Sequence, residues 1–583
     1  MRYPSRNRDK GGFKSTEFFN PTEIARTLRL AIATDFGRDT AYRAPWQEHF
    51  ANNQTDNLLK KFVWGVNGND LDNVTYEKFI VNAKRLSEFN LLINSDRPTR
   101  NSSLRDLIIH RARHICHYVL KSYSEEELFE SARHSNGATV GVNFIDTSVE
   151  AKWTFPVTVT SSCLLLLSRY LGWNQQLHFA VKELNDSQQW YKIVEGSVAA
   201  TVPKDRDINR FIAKEPTGNM FLQQGAMALM YERLADVGLD LSSLPDTHRQ
   251  LAWLGSLTGT LGTIDWSQAS DCVLTELVGF LFPTQWVKLL MSLRSPVTFI
   301  QKEKTVLPMI SSMGNATTFP VETLVFWSLA VATLYTLEMP GSNSLIPDTR
   351  FFNRVSVFGD DCILPSHVCR LFIETTCSLG FIVNEKKTFT DVNQGFRESC
   401  GGDYLHGMDV RPFFLKAPAG TKPSQMEAWL YIIGNSVLKK YISYFGQLSY
   451  IYGKAFFEWY FALFRDNSVK IKVVPDFFPD DAGLKIFPDL VRFFRHYEFD
   501  VTPIRVSKHG TVRFNYLRNS YPKELETNDH VRYVLQLQTI AKRVVSMPCS
   551  ALSFLGCETK SKRYLRNDSA YVTASAITCN LTF

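Results

Sequence analysis

The stretch R-V-S-V-F-G-D-D-C-I-L-P, from Arg354 to Pro365, decides how this chain is read. Val355, Val357 and Phe358 before Gly359, and Ile363 and Leu364 after the acids, are strand formers around a turn. The spacing predicts a hairpin with Asp360 and Asp361 at its tip. Adjacent carboxylates repel unless a cation lies near them. Magnesium suits such hard oxygen ligands, yet two aspartates leave its coordination incomplete. Gly-Asp-Asp also arises by chance in roughly one chain in ten of this length, so the pair alone decides nothing. A metal site demands a third carboxylate at another strand end.

L-G-T-I-D-W-S-Q-A-S-D, Leu261 to Asp271, supplies one. A short apolar strand runs into Asp265, and Ser267 and Ser270 favour a turn before Asp271. Asp265 and Asp360 can then share two metal ions about 3.5–4 Å apart, which activate an attacking hydroxyl and stabilise a leaving phosphate oxygen. Between the two acidic segments lies I-S-S-M-G-N-A-T-T-F-P, from Ile310. Ser311, Ser312 and Gly314 read as a flexible loop opening onto a long apolar helix, with Asn315 able to bond a sugar hydroxyl. Upstream, V-P-K-D-R-D-I-N-R carries Lys204, Arg206 and Arg210, suited to a triphosphate, although Asp205 and Asp207 equally suit an ion-paired surface hairpin. Downstream, G-F-I-V-N-E-K-K-T-F places Lys386 and Lys387 where a general acid for a leaving pyrophosphate would stand.

The bulk properties agree with a large folded protein. The chain has 583 residues, 44% hydrophobic and 21% charged, with a net charge of +7. That length suggests about three or four domain-sized units. Basic residues cluster at Arg2, Arg6, Arg8, Lys10 and Lys14. They recur at Arg505, Lys508, Arg513, Arg518 and Lys523, among Phe514 and Tyr516, and in K-S-K-R-Y-L-R from Lys560. Such interleaving suits a phosphate backbone with stackable bases. The ten cysteines show no metal-binding spacing and read as reduced thiols, and H-I-C-H at His114 reads as structural. The apolar run Leu324–Leu337 is about 14 residues, too short for a bilayer and better suited to a buried helix. Ser124 and Glu127 spell a helix-starting capping box. The Pro- and Gly-containing stretch Ala417–Ser424 is the expected domain boundary. D-F-F-P-D-D-A-G-L from Asp476 reads as a solvated turn or partner surface.

The order of basic hairpin, D-x5-D, S-S-M-G-N, G-D-D and N-E-K-K-T-F resembles the motif series of viral RNA-dependent RNA polymerases. With F-I-A-K-E-P-T-G-N-M-F, S-L-R-S-P and F-R-E-S-C-G, the chain is similar to the replicase catalytic (beta) subunits of single-stranded RNA bacteriophages, the levivirus group. The resemblance covers residues 190–416 and implies an α+β right-hand fold of fingers, palm and thumb, the palm an antiparallel sheet flanked by helices. Residues 1–184 would form an N-terminal region with part of the fingers, and 185–255 the fingers with the triphosphate motif. Residues 256–420 would form the palm, with a fingers insertion near 295–312, and 421–583 the thumb and C-terminal region.

The same resemblance implies site roles. Asp265 and Asp360, supported by Asp361, would hold two Mg2+ ions, with Mn2+ as a substitute. Asp271 and Asn315 match ribose-recognising positions, with Ser311, Ser312 and Gly314 beside them. Lys204, Arg206 and Arg210 match the triphosphate motif, although Asp207 stands where relatives can carry a base. Lys387 fits the general-acid position better than Lys386. Arg397 would lie near the nascent strand or serve structurally. The implied partners are RNA template and product, ribonucleoside triphosphates, elongation factors Tu and Ts and an RNA-binding ribosomal protein, with no membrane. The implied setting is the cytoplasm of an infected bacterium, with initiation lacking a primer. A reverse transcriptase-like enzyme is the first rival, opposed by Gly359 before Asp-Asp and by the small Asp271. A non-catalytic RNA-binding protein on a polymerase scaffold is the second.

Overall fold

The computed structural model describes residues 20–38, 43–65, 68–95, 103–135, 137–142, 152, 156–182, 189–446 and 449–485, with the strands Arg505–Val506, Thr511–Ser520 and Tyr564–Thr573. The basic residues from Arg2 to Lys14, and Lys508, Lys523 and Lys560, lie outside the described residues. The architecture is α+β, with helices packed around small, largely antiparallel sheets.

The central sheet has three strands, ordered Leu261–Ile264, Asp361–Pro365, Ser356–Phe358. Cys362 pairs with Ile264 and Asp361 with Phe358, all antiparallel. The hairpin expected around Gly-Asp-Asp is therefore present, and its tip lies beside the end of the Asp265 strand. Behind it runs the helix Thr318–Glu338, buried along nearly its whole length. It is long and apolar enough to cross a membrane, but 94% of its most apolar window is covered by protein. Trp266 stacks on Phe326 at 5.1 Å, and Cys116 of the H-I-C-H run bonds Ser328 at 3.3 Å. That run thus packs against the central helix.

A four-stranded sheet lies upstream, ordered Asn209–Lys214, Ser197–Pro203, Val297–Ile300, Glu303–Val306. The basic segment forms the connection between its first two strands. Asn209 donates to Asp72 at 2.8 Å, fixing the hairpin to the helix Gly68–Ser95. The capping box forms: the Ser124 hydroxyl accepts from Glu127 N–H at 3.1 Å, and the Glu127 carboxylate from Ser124 N–H at 2.7 Å.

A second apolar core joins residues 24–62 to residues 410–484. Asp35 is fully buried and accepts from Tyr441 O–H, Ala455 N–H and Phe456 N–H at 2.8–2.9 Å, closing the start of the helix Lys454–Asp466. The acidic loop after Asp476 is tethered rather than purely solvated. Lys485 reaches Asp480 at 2.7 Å and Asp476 at 3.7 Å.

Candidate active site

Asp265 follows directly on its strand, while Asp360 occupies the hairpin turn and Asp361 opens the returning strand. Gly359 makes the turn possible. Its φ is +63°, and a Cβ there would lie 2.5 Å from the Phe319 ring. Its N–H donates to Thr323 Oγ1 at 3.0 Å, hanging the turn on the first turns of the central helix.

The three carboxylates lie in a mutually repulsive setting, with Asp265 and Asp361 half-buried and Asp360 keeping a solvent-exposed side at the turn. Burial pushes Asp265 up to about 6, with Asp360 adding to the shift and Lys387 opposing it. Burial and then Asp360 push Asp361 up to about 7. Asp360 is also raised, chiefly by burial, against the pull of Lys204, Lys387 and Arg210. Donors hold two of the acids: Asn384 Nδ2 reaches Asp265 at 2.5 Å, and Cys400 N–H reaches Asp361 Oδ2 at 3.1 Å.

Among the described residues, no group of three or more histidine, cysteine or acidic side chains is gathered closely enough to enclose an ion. The donor chemistry nevertheless fits a hard divalent cation, since crowded, mutually repelling carboxylate oxygens gain from an added positive charge. Magnesium is commonly held by one or two carboxylates, with waters and substrate phosphates completing its shell.

Lys387 leans over this cluster. Its ammonium pairs with Glu398 at 3.1 Å. Burial works against its charge, but Glu398, Asp265 and Asp361 outweigh it and hold the pKa above the ordinary lysine value. Asn384, three residues earlier, donates its N–H to the Asp265 carbonyl at 2.9 Å, and Phe389 pairs with Thr263. The N-E-K-K-T-F segment is therefore laid along the Asp265 strand, and Lys387 is the lysine of the pair that the acids sense.

The basic hairpin is not an ion-paired face. Lys204, Arg206 and Arg210 are exposed, and no salt bridge among the described residues engages them. Asp205 turns inward instead, accepting from the N–H groups of Asp207 and Ile208 at 2.9 Å. Arg206 N–H meets the Lys60 carbonyl at 2.9 Å. Beyond it, Lys61 lies 4.7 Å and Arg411 5.6 Å from the Phe414 ring centre. Burial, then Arg411, Lys416, Lys387 and Lys60, lower the Lys61 pKa. An arc of cations thus borders the acids from the hairpin to Lys387.

The serine loop differs from its sequence reading. It is packed rather than open, because Ser311 and Ser312 are buried and a Cβ on Gly314 would lie 2.2 Å from the Ala213 carbonyl oxygen. Gly314, at φ +115°, lets the loop press against the basic hairpin, where Ala213 N–H donates to Met313 at 2.8 Å. Burial raises Asp271 to about 7, and its Oδ1, Ser311 Oγ and Ser312 Oγ are all buried without hydrogen-bond partners. Unmet polar atoms of this kind are costly unless a ligand satisfies them. Asn315 is mostly committed within the protein: its Oδ1 accepts from Thr317 N–H at 2.9 Å and Oγ1 at 2.8 Å.

Arg397 has the surroundings of a structural residue, the second of its two readings. It is fully buried, and its guanidinium donates to the carbonyls of Leu261, Gln394, Phe396 and Asp391 at 2.5–2.9 Å. It clamps its own strand to the strand of Asp265. Sequence reasoning passed over Glu322, a buried acid raised well above its ordinary value by burial, Asp360 and Asp271. Its signal was a lone carboxylate within the apolar helix run. Asn384, Glu398 and Cys400 lay inside quoted motifs without an assigned role.

The family model described as RNA replicase, beta-chain, matches residues 17–436. The RNA-directed RNA polymerase beta chain of Escherichia phage MS2 is 34% identical over 304 residues, covering 52% of each chain. That of Enterobacteria phage fr is 33% identical, again over 52% of each. The corresponding subunit of Escherichia virus Qbeta is 34% identical over 353 residues, 60% of this chain and 56% of that one. The chain thus spans little more than half the length of these curated relatives. The solved RNA-dependent RNA polymerase of bacteriophage phi12 aligns over 78% of both chains at 12% identity, with a TM-score of 0.37. With a family match over most of its length, the chain belongs to the RNA replicase beta-chain family.

Proposed function

We propose that the chain is an RNA-directed RNA polymerase that copies a single-stranded RNA phage genome, starting without a primer. The observation that carries this reading is the meeting of Asp265, Asp360 and Asp361 at adjoining strand ends, bordered by an arc of cations. The central sheet would be the palm of a right hand.

Asp265 and Asp360, with Asp361 in support, would hold two divalent cations. When bound, these ions supply the charge that activates the 3′-hydroxyl and stabilises the leaving oxygen. The protein's own work is positioning and electrostatics. Lys204, Arg206 and Arg210 orient the incoming triphosphate. Asp271, with Ser311 and Ser312, offers unmet polar atoms to the ribose hydroxyls. Lys387 remains protonated and can hand its proton to the departing pyrophosphate. Template RNA, ribonucleoside triphosphates, elongation factors Tu and Ts and a ribosomal RNA-binding protein are the proposed partners, within the infected cell.

The test uses purified protein, those host factors, phage RNA and labelled nucleotides. Ribonucleotide incorporation that disappears in Asp360→Asn supports the reading. Preference for deoxynucleotides would indicate a reverse transcriptase, and no incorporation with all factors present would indicate a binding protein.

A further inference from the structure

The F-R-E-S-C-G segment is a sequence motif that this mechanism leaves without a task. Its strand, Phe396–Ser399, pairs with Gly402–Leu405, and Ser399 lies opposite Gly402. Cys400 and Gly401 are therefore a two-residue hairpin loop, with φ of +45° and +77°. Positive φ at both loop positions is the type I′ pattern, which favours asparagine, aspartate or glycine at the first position. Cysteine there is strained. A non-glycine residue in this region is strained and persists where the surroundings enforce it, most often at functional sites.

What the strained residue touches is Asp361. The Cys400 N–H lies 3.1 Å and its Sγ 3.3 Å from the same carboxylate oxygen, Oδ2. The loop that delivers these donors is anchored on several sides. Arg397 ties it to the Asp265 strand through the Leu261 carbonyl at 2.6 Å. Glu398 ties it to Lys387 at 3.1 Å. Ser399 meets Nδ1 of the fully buried His248 at 2.9 Å, and His248 Nε2 meets Ser356 at 2.9 Å. Ser356 pairs with Ile363 in the hairpin that carries the acids. Four successive residues thus address the Asp265 strand, Lys387, the Gly-Asp-Asp hairpin and Asp361.

We infer that this loop is the positioning device of the site and that Cys400 is a positioning residue for Asp361. Its two donors fix Oδ2 and so set the orientation of a carboxylate that senses both Asp360 and Asp265. Strain in the turn is tolerated because the relaxed residue, glycine, has no side chain to offer Asp361. The inference rests on the polymerase reading of the acidic site.

The experiment compares Cys400→Gly with Cys400→Ser in the full chain with host factors. Three readouts are taken: melting temperature, Mn2+ binding without RNA followed by the free-Mn2+ paramagnetic signal, and ribonucleotide incorporation. Glycine relieves the φ strain and removes the thiol, so it should melt close to wild type yet lose about tenfold or more in Mn2+ affinity and rate, the usual scale for losing a ligand's supporting partner. Serine keeps a hydroxyl donor and should restore most of both. Wild-type Mn2+ affinity and rate in Cys400→Gly would overturn the inference, as would a serine variant as impaired as the glycine variant. Should Cys400→Gly not fold, Cys400→Ala removes the same donor, and the same results decide. An inactive wild-type protein would instead count against the polymerase reading.

Discussion

Gly359→Ala tests whether the acidic turn is as tightly constrained as its geometry requires. An alanine at φ +63° incurs a left-handed penalty of about 1–2 kcal/mol. Its Cβ would stand 2.5 Å from Phe319 Cε2. That ring has little room to retreat, since it packs edge-on against Phe358 at 4.7 Å. Forcing an extra methyl into such a site costs roughly 1–3 kcal/mol. Together the two effects give about 2–5 kcal/mol, which for a domain of roughly 150–250 residues lowers Tm by about 4–20 °C. Gly279→Ala is the matched control, because that exposed helical glycine has nothing within 4 Å of its missing Cβ. Differential scanning fluorimetry on both variants reads the difference, with incorporation measured on the folded fraction. Incorporation should fall with Tm in Gly359→Ala, because the same clash moves Asp360. Equal melting of the two variants would refute the constraint.

Other consequences follow from the same geometry. Lys387→Met should reduce single-turnover incorporation by about 10²–10⁴-fold as the proton donor is lost, whereas Lys386→Met should stay near wild type; equal losses would remove Lys387 from its role. Arg397→Ala takes the donor from four carbonyls, of which those of the half-buried Leu261 and Phe396 cost about 1–3 kcal/mol each when unmet, so urea or heat should reveal a loss of stability, with RNA affinity of the folded protein unchanged; weakened RNA binding at unchanged Tm would contradict the clamp. In EDTA, stability should fall as pH rises from about 4 to 7, because the folded state binds the extra protons: Asp265 titrates at about 6 and Asp361 and Asp271 at about 7, against roughly 3.9 unfolded. Mg2+ should raise Tm at pH 8 far more than at pH 5, and Asp361→Asn should flatten the slope; an identical pH slope in that variant would refute the assignment.

The hairpin, the Asp265 strand and the Ser124 cap were legible because each is written locally, in strand formers around glycine or in a capping box. Lys387 was separable from Lys386 only by position, and its ion pair with Glu398 required the fold. Arg397 illustrates the limit. An arginine near a nucleic-acid motif reads as a phosphate contact, and nothing local announces that four carbonyls will surround it. Gly314 was misread for a related reason, since a glycine in a serine-rich loop suggests mobility while its use here is close approach to Ala213. The second core was invisible in the sequence because it joins residues 24–62 to residues beyond 410, and apolar periodicity does not report partners that distant.

The central helix explains why the site can keep so many acids. A helix apolar on every side is normally a featureless beam, and Thr318–Glu338 is buried almost throughout. Yet its first turns carry Phe319, which edges the Gly359 turn, Thr323, which accepts that turn's N–H, and Glu322, which faces Asp360 and Asp271. A rigid apolar support lets the protein hold carboxylates close together where they would otherwise separate. The cost is a surplus of negative charge that the fold itself does not neutralise, since the Lys204, Arg206 and Arg210 side chains stay at the rim, unpaired among the described residues. Cations at the rim attract a polyanion, while acids at the centre favour divalent ions. A nucleoside triphosphate accompanied by such ions meets both demands at once, whereas a protein evolved only to bind RNA would have reason for the rim and none for the centre.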